Sequence, residues 1–177
     1  EDIRWMFSRA KEFNQDISAW NVSNVARMSG MFTNAHVFNQ DISSWDVSGV
    51  YHGMDGMFEG VFSFDQDISE WDVSNVINMY SMFGSAHAFN QDISQWNVSN
   101  VTNMRNMFAD AKVFNQDISE WDVSNVTNMQ KMFWLAENFN QDISGWDVSN
   151  VVDMTDIFLN ADALSNQNQC AINTSWS

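Results

Sequence analysis

A chain of 177 residues that is 45% apolar can bury a sizeable core, which excludes a disordered segment despite the charge. Its net charge of −16, from 7 Lys and Arg against 23 Asp and Glu, leaves no basic patch for phosphates and excludes nucleic acid; cations, basic proteins or a salty medium fit it better. No stretch approaches the roughly 20 apolar residues that span a bilayer, so no membrane span is expected.

The chain opens inside a repeat, with "IRWMFSRA" and no Met at its start, which reads as a piece processed or excised from a longer protein. Six full repeats follow. Their Trp residues are Trp20, Trp45, Trp71, Trp96, Trp121 and Trp146, with steps of 25 residues broken once by a step of 26. The extra residue falls in "VYHGMDGMF", around Gly53, and it is the one break in the columns where a pocket could open. A fixed period of this kind signals stacked units that shield one another's apolar faces.

Within a repeat the elements come in a set order. Ile93, Trp96 and Val98 end in a two-residue alternation, which predicts a short strand with Trp and Val inward. "VSN" then supplies turn and helix-cap residues. Val101, Met104, Met107, Phe108 and Ala111 step by three and four, which predicts one face of a helix of about three turns. "FNQD" turns the chain back. The expected fold is an α/β repeat solenoid over residues 1–163, each coil one short strand plus one short helix, with an inner parallel sheet and Trp, Phe, Met and Ile columns as core. Residues 164–177 break the pattern and read as a capping tail. Cys170, in that tail, has no partner for an internal disulfide; it reads either as a small buried apolar residue or as a link to another chain.

The spacing I-x-x-W-x-V followed by V-x-x-M-x-x-M-F resembles the leucine-rich-repeat plan with Trp in place of a core Leu. More closely, "FNQDISxWDVSNVTNM" resembles the repeat of about 25 residues in bacterial surface proteins of the BspA-like type, from Ile3 to about Ala163. That resemblance implies a leucine-rich-repeat-like solenoid, an extracellular or cell-surface location, and adhesion or protein binding. It implies no catalytic residues.

The charges are segregated. Between the turn Asp and the Val after Trp lie Asp16, Asp41, Asp46, Asp67, Glu70, Asp72, Asp92, Asp117, Glu120, Asp122, Asp142 and Asp147, and no basic residue. All seven basic residues (Arg4, Arg9, Lys11, Arg27, Arg105, Lys112, Lys131) fall on the expected helices or the turns after them. The expected binding face is therefore the strand side: Asp46, Glu70, Asp72, Asn97, Glu120, Asp122 and Asp147. Carboxylates stacked about 5 Å apart repel, and Ca²⁺ at the column Asp16, Asp41, Asp67, Asp92, Asp117 and Asp142 is one relief. The alternative for that column is hydrogen bonding to backbone N–H groups within turns. A second candidate is an outward apolar patch, Trp134, Leu135 and Leu159, that either covers the chain end or contacts a partner.

Catalysis is not expected. His36 and His87 lie two repeats apart, His52 sits in the insertion, and no His or Cys pair has zinc-ligand spacing. The paired acids recur identically, whereas a glycosidase site is singular. Only Thr102 and Thr127 align in adjacent repeats, too few for an ice-binding ladder. The expected function is a non-catalytic binding or adhesion module with no cofactor, partnered by a protein or cell-surface component. A structural spacer and a Ca²⁺- or glycan-binding module are the alternatives.

Overall fold

A computed structural model describes residues 1–176. The coil is a chain of tight turns. In one repeat Trp96 N–H donates to Ile93 O, Val101 to Val98, Met107 to Met104, Ala111 to Phe108 and Phe114 to Ala111, at 2.8–3.2 Å. Each of these turns begins and ends on a buried apolar residue. The apolar spacing of three is thus the span of a β-turn, whose first and fourth residues face the axis while the two between them face out.

This corrects the expected fold. Among the described residues there is one helix, α1 (Asn166–Ser175), and no sheet, only isolated parallel bridges such as Asn78–Asn103, Asn103–Asn128 and Asn128–Asp153. The α/β solenoid with an inner parallel sheet is overturned, and with it the leucine-rich-repeat plan. The reason is in the backbone. Asn106 and Asp110 both have φ of 56°, in the third position of their turns, and the same two places are positive in neighbouring coils. A left-handed residue at every fourth position stops a helix from propagating. Gly30, Gly56 and Gly60 fill three of these places, where the backbone requires what Gly adopts without strain.

The hydrogen bonds follow from that geometry. Met104, Asn106, Phe108 and Asp110 donate to Asn128, Gln130, Met132 and Trp134 of the next coil, at 2.6–3.0 Å. The intervening N–H groups of Met107, Ala109 and Ala111 close local turns. Backbone contact between coils therefore lies mainly on the segment expected to be helical, with a further bond in the turn after it, as from Asn138 N–H to Lys112 O at 3.1 Å. On the Trp side, side chains make the link: Trp96 Nε1 donates to Ile68 O at 3.0 Å and Asn100 Nδ2 to Ser74 O at 2.8 Å. No strand pairs there because the Trp N–H is already used by its own turn.

The remaining side is stitched by "FNQ". Asn115 N–H donates to Asn90 Oδ1 and Asn140 N–H to Asn115 Oδ1, at 2.8–2.9 Å, so each Asn side chain receives the next coil. Inside, Phe83, Phe108 and Phe133 stack with centroids 5.7–5.8 Å apart, and each packs at 3.9–4.0 Å against the Phe that follows it in its own coil. Trp45 through Trp146 are buried in their column, and Trp20, the first Trp of that column, is 41% exposed. At the other end α1 starts on the N-cap Ser165, whose side chain accepts from Asn168 N–H. Its Ile172 is buried, and Trp176 stacks on Trp146 and Phe158 at 6.2–6.3 Å. Cys170 is exposed on α1, which removes its reading as a buried apolar residue.

Candidate functional site

The acidic segment forms two turns in every coil. In the turn column, Asp16, Asp41, Asp67, Asp92, Asp117 and Asp142 each accept, through Oδ1, the backbone N–H of the Ser two residues on, at 2.9–3.0 Å. After Trp the same bond recurs at 3.0–3.2 Å, from Ser48 to Asp46, Ser74 to Asp72, Ser99 to Asn97, Ser124 to Asp122 and Ser149 to Asp147. The mixture of Asn and Asp is explained, since both side chains offer the oxygen that such a turn needs. Glu70 and Glu120 stand between the two columns and are exposed.

These bonds also decide how the carboxylates tolerate one another. The Ser48, Ser124 and Ser149 hydroxyls and amides hold Asp46, Asp122 and Asp147 below the usual carboxylate range. Hydrogen bonds from Ser43 and Ser69 do the same for Asp41 and Asp67, and repulsion from the neighbouring Asp is the smaller opposing effect. At these five positions the turn itself stabilises the charged form. Among the described residues no group of three or more His, Cys, Asp or Glu converges in a way that could hold a metal ion.

The expected apolar patch is divided. Leu159 is 48% exposed, Leu135 is half-buried at a φ of 58°, and half-buried Trp134 walls a groove with Lys131 Nζ 5.2 Å over its ring. The tail packs on Trp146 and Phe158 instead. At the insertion, a cavity of about 450 Å³ opens beside Arg27, His52 and Asp55. Arg27 Nη2 lies 3.2 Å from His52 Nε2; a guanidinium only donates, so that imidazole nitrogen accepts. His36 and His87 are joined through Phe62, whose ring stacks on both at 4.4 and 4.7 Å, and His87 Nε2 meets Asp110 at 2.9 Å.

The repeat pattern that builds these surfaces is that of a known family. The model of DUF285, described as Mycoplasma protein of unknown function, matches residues 1–88 and 52–171. The chain belongs to the DUF285 family. The two matched regions overlap, as they can in a periodic chain, and together they reach from the first coil into α1. No curated protein matches the chain. Among the described residues of this DUF285 chain no helix is long and apolar enough to cross a membrane.

The groove beside Trp134 was missed in the sequence of this DUF285 member, although a signal for it exists. At one repeat position the residues run Thr33, Glu59, Gly84, Ala109, Trp134 and Leu159. Two small residues between two large ones leave a trough when the coils stack.

Proposed function

We propose that the chain is a non-catalytic binding module at a bacterial cell surface, and that its acidic face contacts basic groups on a protein partner. The observation behind this reading is the run of twelve acids and no base along six coils. Local turns fix most of these carboxylates, so little side-chain freedom is lost when a partner binds. Each turn uses one carboxylate oxygen and leaves the other for the partner. The likeness of the repeat to BspA-like surface proteins supports the location.

A single exposed ion pair contributes about 0–1 kcal/mol, so affinity must come from many contacts along the stack. The probe is a ten-residue oligolysine peptide, titrated against two variants of equal net charge. One neutralises Asp46, Glu70, Asp72, Glu120, Asp122 and Asp147 to Asn or Gln. The other neutralises six acids off this face: Glu12, Asp55, Glu137, Asp153, Asp156 and Asp162. The first is expected to weaken binding about tenfold more than the second, with a steep salt dependence. Equal weakening means that the peptide reads net charge alone, and the chain is then better described as a spacer.

A further inference from the structure

The groove beside Trp134 interrupts an otherwise regular stack, and it does so on the side away from the acidic turns. Its floor is Gly84 and Ala109, and its ends are Glu59 and Trp134. By the repeat register those ends stand three coils apart, about 15 Å at the spacing of paired backbones. The groove encloses about 220 Å³. That is below the roughly 300–1,000 Å³ of sites for drug-sized ligands, and it suits one ring-sized unit.

The lining has a mixed chemistry. Asn106 Oδ1 is buried and has no hydrogen-bond partner in the protein. A donor entering the groove would satisfy this acceptor once the Asn106 side chain turns toward it. Lys131 supplies a donor at the Trp134 end, and Glu59, whose carboxyl burial pushes up, stands at the other. Trp134 adds an apolar wall. We propose that this groove binds a single saccharide unit. A sugar ring presents hydroxyls that both donate and accept, and it has a C–H surface that packs on an indole. The lining holds Arg105 and Lys131 against Glu59 and Asp110, so a phosphate ester would meet two carboxylates as well as two cations, and a purely apolar ring would leave Asn106 Oδ1 unpaired.

The repeats supply two test variants that the fold already accommodates. The atoms nearest to a Cβ on Gly84 would be Ser81 O at 3.4 Å and Asn106 O and Ser81 Cβ at 3.5 Å, ordinary contacts. Leu159 occupies the same repeat position, so Gly84→Leu should fill the groove and keep the stack. Ala109 is the equivalent precedent for Trp134→Ala. Chitobiose, maltose and lactose are each titrated into isotope-labelled protein, following the Trp134 indole N–H, identified by its loss in Trp134→Phe, and the Asn106 side-chain amide. At least one sugar is expected to shift both signals saturably with a Kd of about 1 mM or tighter. Gly84→Leu and Trp134→Ala should each weaken that binding about tenfold or more, while the variant with the acidic face neutralised binds as the parent does. If Gly84→Leu lowers the melting temperature, Trp134→Ala decides the outcome. No saturable shift with any of the three sugars overturns the proposal, and so does undiminished binding by the groove variants. Neither result bears on the acidic face.

Discussion

Trp96→Ala is expected to destabilise the protein by about 3–5 kcal/mol, the range for truncating a large buried aromatic. Two effects add. The indole is 4% exposed and packs 6.1 Å from Phe83, so its loss leaves a cavity inside a column with coils above and below. Its Nε1 also donates to Ile68 O at 3.0 Å, and without it that carbonyl of the preceding coil keeps only its turn bond from Trp71 N–H and the side-chain link between the two coils is lost. Trp20→Ala is the internal control. Trp20 holds the same repeat position but is 41% exposed, and no Nε1 bond ties it to an earlier coil. Its truncation should cost about 1 kcal/mol, in proportion to the smaller area it buries. Chemical denaturation of both variants measures the difference, and equal losses would mean that the Trp column is not what joins the coils.

Gly60→Val is expected to destabilise by about 2 kcal/mol, the penalty for placing a side chain in the left-handed region with a β-branched Cβ. Gly60 has φ of 69°, and a Cβ there would lie 2.5 Å from Asn34 Oδ1 in the adjacent coil. A helical segment predicts the opposite sign, because Val is a better helix residue than Gly by a few tenths of a kcal/mol. Ser85 supplies the reciprocal change. It stands at the position of Gly60 one coil later with φ of 54°, so Ser85→Gly should stabilise by about 0.5 kcal/mol, whereas in a helix it would cost a similar amount. The pair of signs, read from denaturation midpoints, separates the two backbones.

The period, the inward columns and the two-sided distribution of charge were legible in the residues, because side-chain burial follows apolar spacing whatever backbone carries it. The backbone itself was misread for a physical reason. Met104, Met107, Phe108 and Ala111 step as a helix face does, and chained four-residue turns step the same way. The residues between them carried the discriminating signal. Gly30, Gly56 and Asn106 at one place, and Asn34, Gly60 and Asp110 at the next, are the types that tolerate positive φ, and none of them favours a helix interior. Lys131 and Leu135 at these same places obscured it. The acidic turn at "DIS" was legible as Asx chemistry, whereas the second one at "DVS" was not, because its free mixture of Asn and Asp also fits solvated side chains. That the Trp side is linked by indole and amide side chains was not, because an I-x-x-W turn and the start of a strand look alike until the N–H of Trp is assigned a partner. The groove arises from four residues in four different coils, and only comparison down one repeat position shows it.

Each coil is a run of turns whose alternate N–H groups bond to the next coil. Scalar couplings across hydrogen bonds, measured in isotope-labelled protein, report donor and acceptor directly. The N–H of Phe108 should couple to the carbonyl of Met132, and that of Asn106 to Gln130, since these bonds measure 2.9 and 3.0 Å. Coupling of Phe108 N–H to the carbonyl of Met104, four residues back, is the pattern of an α-helix and would rule out a coil built from turns.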